Sequence, residues 1–117
     1  MTPTDIIVRD KGRILALRFA GGEAIDLAAE YLRVESPSAE VQGHNPSQKK
    51  ILAGKRDVAI TGAEPVGNYA IRLIFSDGHS SGIFSWDALR RMAADYETVW
   101  ATYLKSLSER GLSRDQA

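Results

Sequence analysis

Two periods of apolar residues divide the chain into a strand-rich body and a helical C-terminal stretch. Asp5 to Arg9 and Arg13 to Phe19 are short β-branched and leucine-rich runs on either side of Asp10-Lys11-Gly12. The glycine can take the positive φ of a tight turn, so this segment predicts a β-hairpin. Ala20-Gly21-Gly22 supplies a second turn, and Glu23 to Ile25 returns as a third strand. Asp26 then reads as the N-cap of a short helix near 27–33, because Leu27-Ala28-Ala29-Glu30-Tyr31-Leu32 favours helix. Ser36 and Pro37 read as the cap and first residue of a further helical turn that Gly43 ends. The polar stretch His44 to Arg56, interrupted by Pro46 and Gly54, is expected to be an exposed, mobile connection touching the core at Ile51-Leu52.

Alternation resumes at Asp57 to Gly62 and peaks at Tyr69 to Phe75, where Ile71, Leu73 and Phe75 share one face of a predicted central strand. Asp77-Gly78 is a hairpin signal, and Ser80 to Phe84 is expected to pair back. From Ser85 the period lengthens. Leu89, Met92, Tyr96, Val99, Tyr103 and Leu107 recur at three- and four-residue spacing, predicting one long helix over 86–110 capped by Ser85, with Phe84 and Leu89 as a hydrophobic staple. Trp86 and Trp100, fourteen apart, would share a face of a straight helix, with core packing as the first explanation. The functional alternative leaves Tyr103 and the C-terminal end exposed as a partner-binding stripe. The expected architecture is α+β: small antiparallel sheets of about five to six short strands. A single domain would span 1–110, and a flexible tail with nothing to pack would span 111–117.

Composition narrows the function classes. The 117 residues are 44% hydrophobic and 26% charged, suited to one globular core. Fifteen basic and fifteen acidic side chains cancel, so no global field favours nucleic acid or a membrane surface. Lys49, Lys50, Lys55 and Arg56 form the one basic cluster and lack interleaved aromatics, so a solvated loop is the expectation. With no cysteine, disulfides, thiolate metal sites and cysteine nucleophiles are excluded. No apolar run approaches the length of a signal core or a membrane span, which makes a cytoplasmic protein the expectation.

Two segments carry a resemblance. Leu32-Arg33-Val34-Glu35-Ser36-Pro37-Ser38-Ala39-Glu40-Val41 and Phe75-Ser76-Asp77-Gly78-His79-Ser80-Ser81-Gly82-Ile83-Phe84-Ser85-Trp86 together resemble the N-terminal domain of γ-butyrobetaine and trimethyllysine hydroxylases and the small bacterial proteins grouped with it. In the hydroxylases the first segment carries three cysteines and the second a histidine, together a structural zinc site. Aligned on Leu32-Arg33, the cysteine positions fall on Ser36, Ser38 and Val41, and His79 keeps the fourth. A neutral hydroxyl is a poor zinc ligand and a valine is none, so the resemblance implies a vestigial site and no cofactor. The chain also ends where the hydroxylases' catalytic oxygenase domain would begin.

A lone histidine is more often a turn residue than a ligand, so His79 is expected to hydrogen-bond the 36–41 segment, with Asp77 forming the turn. Ser36, Ser38, Ser80, Ser81 and Ser85 gather there without an expected His–acid pair, so nucleophilic catalysis lacks its base and orienter. The function expected is a non-catalytic accessory or interaction domain with a protein partner, using a sheet face, the 44–56 loop or the long helix. Because related domains are fused to oxygenases and to iron–sulfur P-loop ATPases, the resemblance implies a role in iron–sulfur or metalloprotein maturation. The rival reading is a metal-binding module for zinc or iron, or a minor enzyme or oxygenase-associated domain, in which His79, His44, Asp77 and Glu40 supply nitrogen and oxygen ligands.

Overall fold

The computed structural model describes residues 2–115. Strands β1 (Asp5–Arg9), β2 (Ile14–Arg18) and β3 (Ala24–Ala28) form an antiparallel meander, as their alternation predicts. Strands β4 (Ile60–Val66), β5 (Ala70–Phe75) and β6 (Gly82–Ser85) form a second one with β5 in the centre. Leu15 and Leu17 of β2 pair with Leu27 and Ile25 of β3. Together with Ile71, Leu73, Phe75 and Phe84 of the second sheet they belong to one buried cluster. The sheets also meet through backbone: the Ile60 N–H donates to the Gly12 carbonyl at 2.7 Å. Gly12 holds φ +87°, and a Cβ there would sit 2.5 Å from the Ile60 oxygen, so the first hairpin's tip must be glycine to dock.

Asp26 is not a helix cap. It lies within β3, where its carboxylate accepts from Arg9 at 2.6 Å and from Arg18 at 2.9 Å. The Arg18 hydrogen bond, with further help from Arg9, outweighs burial and lowers the Asp26 pKa. Pairing with β2 buries Ile25 and Leu27 and overrides the local helix preference. Helix α1 (Ala29–Val34) therefore starts two residues later than expected and has no side-chain cap. It buries Tyr31, Leu32 and Val34, and the Tyr31 hydroxyl donates to the Met92 carbonyl at 2.8 Å.

Helix α2 (Ala39–Gln42) is a single turn ended by Gly43, and a 3₁₀ turn (Pro46–Gln48) follows. The C-terminal helical segment is jointed. Helix α3 (Trp86–Ala94) is capped by Ser85, whose hydroxyl accepts from the Ala88 N–H at 3.0 Å, and α4 (Tyr96–Glu109) begins beyond Asp95. Asp95 has φ −97° and ψ 8°, outside regular helix. Val99 and Trp100 of α4 pack against the main core beside Met92 and Ala93 of α3, and beyond them the two halves diverge. Leu89 of α3 joins the main core, while Tyr103 and Leu107 of α4 pack with Val34, Ile51 and Leu52. Trp86 and Trp100 thus stand on different helices, and Tyr103 is buried with its hydroxyl donating to the Leu52 carbonyl, so it belongs to no exposed stripe. No helix among the described residues is long and apolar enough to cross a membrane.

Residues 113–115 are exposed or half-buried but are tied to the body by hydrogen bonds and ion pairs. The Gly54 N–H donates to Ser113 at 2.9 Å and the Arg56 N–H to Arg114 at 3.0 Å. The Arg114 guanidinium donates to both oxygens of buried Glu30, at 2.8 and 2.6 Å. A carboxylate buried on α1 needs a cation, and the segment beyond Gly111 brings one. Residues 116–117 lie outside the described residues. Arg114→Ala is expected to lower unfolding free energy by about 1–3 kcal/mol, the cost of leaving a buried charged acceptor short of donors. Urea denaturation measures it, and an unchanged midpoint would mean the 113–115 contacts contribute nothing.

Candidate functional site

The site forms where the α1–α2 corner meets the β5–β6 hairpin. Asp77 shapes the hairpin, its Oδ1 accepting from the His79 N–H at 3.1 Å while Gly78 takes φ +93°. The Phe75 N–H donates to the His79 carbonyl at 2.9 Å, which fixes the histidine at the hairpin's end. On the other side Ser36 follows α1 and is 0% exposed. It does not cap α2. That role falls two residues on, to Ser38, whose hydroxyl accepts from the Glu40 N–H at 3.2 Å. The Ser36 hydroxyl is drawn inward to His79 instead.

The hydrogen bonds form one ordered chain. The Ser36 Oγ lies 3.0 Å from His79 Nε2, and His79 Nδ1 lies 3.2 Å from Glu40 Oε2. An ionised carboxylate only accepts, so Nδ1 carries the proton and Nε2 accepts from the Ser36 hydroxyl. Ser36 in turn accepts from the Ser38 N–H at 3.3 Å, and the Ser38 and Ser81 hydroxyls are 2.7 Å apart. Burial pulls the His79 pKa below 6.5, and the Arg33 charge adds to this, against the opposing influence of Glu40 and Asp77. The ring is held neutral, as its acceptor nitrogen requires.

The sequence-derived set Ser36, Ser38, Val41 and His79 is partly assembled. The two serines and the histidine share the hydrogen-bonded chain, and Val41 is buried in the adjoining turn, its N–H donating to the Ser38 carbonyl at 3.0 Å. In the second set, Glu40 meets His79, but Asp77 points its carboxylate at Arg33 (2.8 Å) and Lys55 (2.6 Å). Burial opposes ionisation of Asp77, yet Lys55, the His79 N–H and Arg33 prevail and lower its pKa from 3.8 to about 2. His44 is exposed. Among the described residues, no three His, Asp or Glu side chains gather as a metal-ligand group.

The expectation that no His–acid pair accompanies the serines is overturned by Glu40. Its signal was its place two residues after the cap of a one-turn helix, which is legible only once Ser38 is known to be that cap. Ser36, His79 and Glu40 have the order of nucleophile, base and orienting acid. Access is missing. Ser36 is wholly buried, and even a methyl group on Gly82 would meet its Oγ at 2.5 Å, so no substrate carbonyl can reach it. Three of the four residues of the basic cluster are likewise engaged: Lys49 pairs with Glu35, Lys55 with Asp77 and Arg56 with Asp115.

Known proteins bear on this arrangement. The family model described as γ-butyrobetaine hydroxylase-like, N-terminal, matches residues 6–90. Two proteins solved by NMR in solution are similar over 97% of this chain. One is 47% identical with a TM-score of 0.81 and 90% of its own length covered. The other is 39% identical, also with a TM-score of 0.81, and 84% covered. A crystal structure of a DUF971-family protein of unknown function from Acidithiobacillus ferrooxidans is 39% identical over 80% of this chain and 93% of its own, with a TM-score of 0.66. No curated protein matches.

The depressed His79 pKa sets a pH dependence. The unfolded chain takes up this proton first, so the stabilisation is complete above the unfolded value of 6.5 and declines as pH falls through it toward the folded pKa. Denaturation at stepped pH is expected to show that decline in the native protein and its absence in His79→Gln. Ser36→Ala, which leaves Nε2 without its donor, is expected to cost about 1–3 kcal/mol. A flat pH profile in the native protein would refute a buried neutral ring.

Proposed function

The chain belongs to the γ-butyrobetaine hydroxylase-like, N-terminal family, and from that premise we propose that it is a non-catalytic accessory domain acting in the cytoplasm through contact with a protein partner. The family resemblance carries the setting, iron–sulfur or metalloprotein maturation. A cysteine-free chain would assist a carrier there without holding a cluster by thiolates.

The observation that supports this reading is the internal use of the family's metal position. Both ring nitrogens of His79 are engaged, one by Ser36 and one by Glu40. The neighbouring donors are neutral hydroxyls hydrogen-bonded to one another and to backbone. Such a set offers zinc one imidazole and one carboxylate, short of the four ligands that a structural site takes. Ser36, Ser38 and Val41 are thus read as a former ligand set whose cohesion now comes from hydrogen bonds and packing. A partner has a surface to use: a cleft of about 340 Å³ lined by Phe84, Met92 and Val99 together with Glu35, Arg91 and Asp95.

Two measurements test the reading. Protein purified without chelator is expected to carry no stoichiometric zinc or iron by elemental analysis, and to take up neither on titration. One equivalent bound and then lost in His79→Ala would favour the metal-module reading built on the His79–Glu40 pair. Conversely, the triple variant Ser36→Cys, Ser38→Cys, Val41→Cys is expected to gain one zinc per chain. Failure of a folded triple variant to bind would sink the assignment of those positions.

A further inference from the structure

Strand β1 is the least covered strand of the fold. All five residues are exposed, including the consecutive apolar residues Ile6, Ile7 and Val8 at 37%, 44% and 40%. Ile6 and Val8 pair with Leu17 and Leu15, so they stand on the face that the core covers one strand further in. The apolar face therefore continues past the point where the rest of the chain covers it. Among the described residues, no strand neighbours β1 on its outer side. Unpaired backbone N–H and C=O groups along such an edge are a template for another strand. The second sheet's edge strand β4 is blunted by Pro65, by a register shift between Ile60 and Gly62, and by Glu64, which is engaged with Arg72. Strand β1 has neither a proline nor a bulge, and its charges stand only at its two ends.

Those ends specify the occupant. Read antiparallel against itself about Ile7, Asp5-Ile6-Ile7-Val8-Arg9 sets Asp5 opposite Arg9, Ile6 opposite Val8 and Ile7 opposite Ile7. We propose that β1 is a self-pairing edge, joining two copies of this chain about a two-fold axis at Ile7 into one six-stranded sheet. A C2 contact must be self-complementary, and this strand is so in both charge and apolar character. In-register parallel pairing would set like charges side by side, and a two-residue slip would put one charge of each strand opposite Ile7 and leave the other beyond the paired residues. Arg9 can serve both partners: among the described residues only its Nη2 is engaged, by Asp26 of its own chain. The Ile6–Val8 pairs would carry the core-side apolar surface across the junction. The proposal does not rest on the accessory function argued above.

Sedimentation velocity over a concentration series, from low micromolar to millimolar, tests it. The native chain is expected to show a reversible monomer–dimer equilibrium. Asp5→Arg, on an exposed side chain, sets two guanidinium groups against each other and is expected to weaken association by at least roughly tenfold, with Ile7→Lys on the axis doing the same. Asp5→Arg mixed with Arg9→Glu is expected to restore pairing as a heterodimer, because each variant repels itself and complements the other. Circular dichroism checks that every variant is folded, and should Arg9→Glu fail that check, the Asp5→Arg and Ile7→Lys arms decide alone. A native chain monomeric throughout, or a dimer indifferent to both of those substitutions, would overturn the proposal.

Discussion

Neither three-stranded sheet can bury its apolar face alone, and that constraint organises the molecule. A small meander in water is marginal without a covering layer. Here Leu15, Leu17, Ile25 and Leu27 of one sheet share a cluster with Ile71, Leu73, Phe75 and Phe84 of the other. Helices α1 and α3 contribute Tyr31, Leu32 and Leu89 to the same cluster. The docking of α1 fixes where the chain leaves it, which delivers Ser36 to the β5–β6 hairpin. The site is thus a by-product of core packing: its members come from the two segments that the core brings together.

Where a residue's role was set by local pattern, it was legible in the sequence. The alternation of Ile71, Leu73 and Phe75, the Asp77-Gly78 turn and the Ser85 cap each needed only their neighbours and appear as expected. Where a role was set by a distant partner, local reading failed. Asp26 looked like a cap because helix formers follow it, but Arg9 and Arg18 claim it within the sheet. Ser36 looked like a cap beside Pro37, but His79, 43 residues away, claims its hydroxyl. Glu30 gave no sign of needing Arg114, 84 residues on, and so the last described residues were read as free. The joint at Asp95 follows the same rule, since regular spacing cannot reveal that the later turns of α4 leave the main core for a second cluster with Val34.

The Ser36–His79–Glu40 order separates geometry from chemistry. Hydrogen-bond distances alone would describe a nucleophile with its base and orienting acid. Complete burial of Ser36 and the approach of the Gly82 backbone leave no space for a reacting atom. The same arrangement that would activate a hydroxyl in an open cleft here satisfies buried polar groups that would otherwise destabilise the fold.

Hydrogen bonding across this corner has an environmental consequence. A corner clamped by a thiolate-bound ion loosens when the ion is chelated or its sulfurs are oxidised, so its shape follows metal supply and redox poise. The contacts among Ser36, Ser38, His79 and Ser81 are made by hydroxyl, imidazole and backbone groups. A corner joined by these contacts presents no thiolate to oxidise.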